Sequence, residues 1–107
     1  MASIDSGLPF SETATHATAA VASHTGAAGK TYYITDVSGS SDKAGALLEV
    51  KQGTTVVWRT QLAATAAGIL SYNHSFRTPI RGATGALVSV TVDGTAVCNA
   101  NIAGYEL

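Results

Sequence analysis

Short runs in which apolar and polar residues alternate one for one constrain this chain more than any other feature. Val88, Val90 and Val92 alternate with Ser89 and Thr91. A strand turns successive side chains to opposite faces, so a period of two sends one set to a core and the other outward. The pattern recurs along the chain. Leu70, Tyr72, His74 and Phe76 alternate with Ser71, Asn73 and Ser75, and Ala96, Cys98, Ala100 and Ile102 share one face over 95–103. Tyr32, Tyr33, Ile34 and Val37 mark a strand over 30–37, and the Ala, Thr and Val residues of 12–25 a weaker one. Segments 46–51 and 54–62 flank Gln52-Gly53 as a hairpin, and Asp93-Gly94 reads as a second tight turn. Leu48 and Val50 face one way, and Glu49, Lys51, Arg59 and Gln61 the other. Thr78-Pro79 ends the strand before it, because proline cannot donate to a ladder. No segment has a convincing helical period. Six to eight strands with turns at short intervals predict an all-β, antiparallel sandwich or barrel. Val56, Trp58, Val88, Val90 and Ile102 are expected inside.

A chain of 107 residues suits one domain, expected over 12–107. Residues 1–11 are expected as an extended N-terminal arm. Asp5, Gly7 and Pro9 interrupt regular structure there, while Ile4, Leu8 and Phe10 are apolar and need a surface to dock on.

Only 12% of residues are charged and the formal net charge is -1, whereas ordinary soluble domains carry roughly 25% charged residues. No basic stripe exists for nucleic acid, and no apolar run reaches the roughly 18 residues of a membrane span. The N-terminus lacks the basic and apolar regions of a signal peptide, so synthesis in a cytoplasm without export is expected. A surface of Thr, Ser, Asn and Gln loses little on desolvation, which suits a protein that ends up covered by other protein.

Catalytic patterns are missing. His16, His24 and His74 lack the close spacing of a metal site. Cys98 stands alone, which excludes an intramolecular disulfide, and it reads as a small buried hydrophobe. The carboxylates show no pairing suited to acid–base work, and no phosphate-cradling loop or nucleophile elbow is present. The expectation is no enzyme, no cofactor and no metal, hence a binding or structural module.

Three stretches resemble small structural proteins of tailed bacteriophages, of the capsid decoration or cement type. They are Gly29-Lys-Thr-Tyr-Tyr-Ile-Thr-Asp-Val37, then Gly45-Ala-Leu-Leu-Glu-Val-Lys-Gln-Gly53 running on to Val57-Trp-Arg-Thr60, and Phe76-Arg-Thr-Pro-Ile-Arg-Gly82 with the ending Asn101-Ile-Ala-Gly-Tyr105. The resemblance covers most of the chain after Gly26 and not the arm. It implies a jelly-roll-like sandwich, a virion location, and the major capsid protein as partner. A glycan- or receptor-binding module of a head or tail fibre is the alternative, to be recognised by an exposed Trp58 or Tyr72. A small hydrolase or metal enzyme would instead pair His74 with a carboxylate. Leu47, Leu48, Val56 and Val57 make the hairpin apolar on both faces. A second sheet layer, the arm or a neighbouring subunit is therefore expected to cover the other face, and a homo-oligomer is expected; the resemblance to capsid-decorating proteins puts a trimer ahead of a dimer. The partner-binding residues expected on these grounds are Ile4, Leu8, Phe10, Leu47 and Val57.

Overall fold

The computed structural model describes residues 8–26, 29–62 and 69–107. Its centre of organisation is one turn. Strands β4 (Leu47–Gln52) and β5 (Thr55–Gln61) pair with Gln52 opposite Thr55, leaving Gly53-Thr54 as the loop. Gly53 has φ 61°, the positive value that the primed hairpin turns demand at their first central residue.

The remaining strands nest around that hairpin. β3 (Tyr32–Ser41) pairs with β6 (Leu70–Arg81), β2 (Ala19–Thr25) with β7 (Leu87–Asp93), and β1 (Leu8–His16) with β8 (Cys98–Glu106), all antiparallel. The long ribbon formed this way is rolled into two four-stranded sheets, a first with order β1-β8-β3-β6 and a second with order β2-β7-β4-β5. Eight strands in two such sheets make a jelly roll. Every connection except β4–β5 joins strands of different sheets.

The inner faces supply the core. Val88, Val90, Val92, Leu48 and Val50 come from the second sheet, and Tyr32, Ile34, Val37 and Ile102 from the first, all fully or almost fully buried. Burying each such aliphatic side chain contributes about 1.5–3 kcal/mol. Ala20, Ala22 and Ala100 let the sheets approach where β1 and β2 close one side. The opposite side, between β5 and β6, is filled by rings: Trp58 lies 4.9 Å from His74 and 5.3 Å from Phe76, centroid to centroid. Close approach also explains Gly82. A Cβ there would stand 1.8 Å from the ring of Tyr32, whose hydroxyl donates to Gln52 Oε1 at 2.9 Å.

Two bulges break the period of two. In β5 the register steps between Val50 opposite Trp58 and Lys51 opposite Val56. One extra residue turns Val56 away from the face it would share with Trp58, so Val56 is exposed rather than inside. Trp58 itself is half-buried at the rim. In β3 the register steps between Ile34 and Asp36, so Tyr32 and Ile34 point inward before the step and Val37, Gly39 and Ser41 after it.

Other expectations change for related reasons. The segment 12–25 is not one strand, because the chain turns at Ala17-Thr18 between β1 and β2. His16 Nδ1 accepts the amides of Thr18 and Ala19 at 3.2 and 3.3 Å and holds that turn. β6 runs through Pro79 instead of ending before it. As an edge strand at a register break it does not need the proline's missing donor. β1 starts at Leu8, so residues 8–11 of the expected arm are a strand paired with β8. Residues 1–7 lie outside the described residues.

Asp93-Gly94 is not a hairpin, since β7 and β8 belong to different sheets. Gly94 is not among the glycines with positive φ, so the reason for glycine there is space. A Cβ on Gly94 would meet Cys98 Cβ at 2.9 Å and the Val97 carbonyl at 3.0 Å. Gly94→Val is expected to destabilise the domain by more than about 1 kcal/mol through overpacking. Thermal unfolding followed by circular dichroism checks this, and an unchanged midpoint would show that the crossing has room.

Candidate functional site

The two outward faces of the sandwich differ in chemistry. On the second sheet the outward positions are Val21 on β2, Leu87, Ser89 and Thr91 on β7, Leu47, Glu49 and Lys51 on β4, and Arg59 on β5. Val21 is 52% exposed, Leu87 44%, and Val56 and Val57 at the bulge 37% and 44%. Glu49 bridges two cations of this face, Lys51 and Arg59. Arg59 Nε donates to Glu49 Oε2 at 2.6 Å, and Lys51 Nζ lies 3.9 Å from Glu49 Oε1. A shallow groove of about 340 Å³ runs between Val21, Leu47, Glu49, Lys51 and Thr91.

The first sheet is polar outside. Cross-strand rows put Thr13, Asn101, Ser38 and Asn73 side by side, then Thr15, Asn99, Ser40 and Ser71. Next to them comes the row Ser11, Ala103, Asp36 and Ser75, and beyond it Pro9, Tyr105, Tyr33 and Arg81. The Tyr33 and Tyr105 rings stack at 5.1 Å. A groove of about 240 Å³ crosses this face between Ser11, Asp36, Ser38, Asn73, Ser75 and Asn101.

The expected partner-binding residues are scattered over this frame. Ile4 lies outside the described residues. Leu8 opens β1, opposite Glu106. Phe10 is half-buried and stacks on His24 at 3.9 Å with 1° between the ring planes, so it is tied to its own domain. Leu47 and Val57 belong to the second sheet's outer side. Missed from the sequence were Asp36, Asn73 and Asn101. Their signal was the small polar residues at alternate positions of 36–40, 71–75 and 99–101, which mark an outward face without saying which strands meet.

The histidines are all engaged within the fold. His24 Nε2 is 2.9 Å from Glu106 Oε2 and its Nδ1 3.6 Å from Glu12 Oε2, linking β1, β2 and β8. His74 sits among Trp58, Tyr72 and Phe76, with the Tyr72 hydroxyl 3.4 Å from Nδ1. Among the described residues no carboxylate contacts His74, and no group of three or more His, Cys, Asp or Glu side chains could hold a metal ion. Cys98 is buried, burial raises its thiol pKa, and its sulfur lies 3.4 Å from the His16 carbonyl.

The chain matches no known family model and no curated protein.

Three aspartates give the domain an acid limit. Hydrogen bonds from Ser75 and Thr35 hold the Asp36 carboxyl below its usual pKa. The backbone amides of Thr95 and Ala96 do the same for Asp42. At Asp93 burial works upward, but hydrogen bonds from Lys43 and the Leu47 amide outweigh it and the pKa is lowered. A depressed folded-state pKa stabilises above the unfolded value, near 3.9 for Asp, and that contribution disappears as pH falls through the folded value. The stability due to these three groups is therefore expected intact above about pH 4 and lost below it. Unfolding midpoints measured from pH 6 to pH 2 test this, and Asp93→Asn should flatten the acid limb.

Proposed function

We propose that this protein is a virion structural protein, a decoration or cement protein that stabilises a tailed-phage head by binding across capsid subunits. The observation that carries the reading is the outer side of the second sheet. Each of its four strands presents a partly or largely exposed aliphatic side chain, Val21, Leu87, Leu47 and Val57, and Glu49 is already paired with Arg59 and Lys51. Apolar area removed from water stabilises a contact by about 25 cal/mol per Å², and paired ions lose less on desolvation than lone ones. The mechanism is mechanical: area buried across a subunit junction adds to the work needed to open it. In this reading the major capsid protein is the partner and the virion the location. The same surface is open to a second copy of the chain, and the resemblance to capsid decoration proteins puts a trimer ahead of a dimer.

Mixing the purified protein with heads of its phage that lack it tests the proposal. The expected result is saturable co-sedimentation and heads that release DNA at a higher temperature. Val21→Asp with Leu87→Asp is expected to abolish both effects while the far-ultraviolet spectrum stays unchanged. Failure to co-sediment overturns the capsid reading. A monomer mass by light scattering at micromolar concentration overturns the oligomer. A glycan- or receptor-binding module of a head or tail fibre is the second reading, favoured by Tyr72, which is 37% exposed beside Trp58.

A further inference from the structure

From the groove on the outer face of the first sheet we infer a binding site for a neutral saccharide, with Asp36 as its central acceptor and Ser38, Asn73 and Asn101 as flanking hydrogen-bonding groups. The inference deepens the second reading and moves its site from the Trp58–Tyr72 side of the sandwich to this face.

The first observation is the β3 bulge. Ile34 is buried and faces the core, and an unbroken period of two would aim Asp36 the same way. The step between Ile34 and Asp36 turns the carboxylate outward, into the groove. Bulges re-aim side chains in this manner beside functional sites. The second observation is preorganisation. Ser75 Oγ donates to Asp36 Oδ1 at 2.6 Å and Thr35 Oγ to Oδ2 at 2.8 Å. Each carboxylate oxygen keeps a lone pair for a ligand hydroxyl. Beside it Asn101 Nδ2 donates to Ser38 Oγ at 3.1 Å, which leaves the Ser38 hydroxyl hydrogen and the Asn101 carbonyl oxygen to a ligand.

Chemistry then selects the ligand class. Asp36 is the one carboxylate in the lining, and no lysine or arginine joins it, so phosphates and other anions are repelled. A single carboxylate is too few ligands for a divalent cation. The groove offers the Asp36 carboxylate and the Asn101 side-chain oxygen as acceptors and the Ser38 hydroxyl as a donor, which suit the hydroxyls of a sugar ring. Tyr33 and Tyr105 stack in the adjacent row, about 7 Å along the strands, and give a ring face for a neighbouring sugar. At about 240 Å³ the groove is smaller than the roughly 300–1,000 Å³ pockets that enclose drug-sized ligands. It therefore engages a chain a ring or two at a time.

The test is a proton–nitrogen correlation titration of the full chain with maltotriose, cellotriose and chitotriose into the millimolar range, with glycerol as control. The expected result is saturable shifts confined to Asp36, Ser38, Asn73, Asn101 and the two tyrosines for at least one trisaccharide. Asp36→Ala should weaken that binding about tenfold, as loss of a charge-assisted hydrogen bond does. Asn73→Ala gives a second measure should Asp36→Ala fail to fold, and Thr54→Ala at the β4–β5 turn should bind as the parent. No saturable shifts with any of the three, equal shifts with glycerol, or shifts centred on Trp58 and Tyr72 would overturn the site. Head binding by Asp36→Ala and Asn73→Ala is expected unchanged, so failure of the sugar site and failure of the capsid reading are separate results.

Discussion

Gly104→Ala is expected to lower the unfolding free energy by about 3 kcal/mol, at the upper end of overpacking costs. Gly104 lies opposite Ile34 on one side and Phe10 on the other, at the β3 bulge. A Cβ there would stand 2.1 Å from the Tyr33 carbonyl oxygen and 3.0 Å from its carbon. Those atoms are backbone, so no side-chain rotamer relieves the contact. Either the β8–β3 ladder opens or the bulge shifts. The measurement is urea unfolding, with a lower midpoint at an unchanged slope. A loss under about 0.5 kcal/mol, the range of ordinary surface substitutions, would mean that β3 does not bulge against Gly104.

Leu48→Ala is expected to cost about 2–5 kcal/mol, the range for emptying a buried leucine site. Leu48 is fully buried. It packs over Gly39, where its Cδ1 would lie 3.1 Å from an added Cβ. Its neighbour Leu47 faces outward, opposite Gln61, and Leu47→Ala is expected to stay within about 0.5 kcal/mol of the parent. The pair tests register directly. A one-residue slip of β4 would exchange every side chain between faces, and Leu47 would then be the costly position.

The same residues separate what is local from what is not. The alternation of Val88, Val90 and Val92 could only be satisfied by a strand with one buried face, and all three are buried. Gly53 between apolar runs marks a tight turn and takes the positive φ such a turn needs, although the loop is Gly53-Thr54, one residue on from the expected Gln52-Gly53, with Gln52 paired to Thr55. Both are decided within a few residues, by backbone sterics and by the pleat. The inward parity of Leu48 and Val50 and the outward parity of Glu49 and Lys51 were legible for the same reason.

Local pattern could not assign partners. Asp93-Gly94 has the residues of a hairpin, yet Asp93 lies opposite Ala19 and Cys98 opposite His16. Those pairings close loops of 70 residues and more, and nothing in a short window distinguishes them from the hairpin that was not formed. Bulges are equally invisible in advance. The extra residue at Val56 and Val57 reflects how β5 fits over β4, and the one at Thr35 how β3 fits between β8 and β6. Each reverses the meaning of every alternate position beyond it, which is why Val56 came out exposed and Asp36 came to face the groove.

The sequence by itself determined that this protein is made of antiparallel strands, that a tight turn stands at Gly53, and that Leu48, Val50, Val88, Val90 and Val92 face inward. Those properties follow from periodicity and from the conformational freedom of single residues. Only the tertiary structure decided that the ribbon rolls into a jelly roll, that one outer face carries aliphatic side chains and the other rows of Ser, Thr and Asn, and that Asp36 meets Asn73 and Asn101. Those depend on which strands become neighbours, and that choice is made by packing two sheets together across most of the length of the chain.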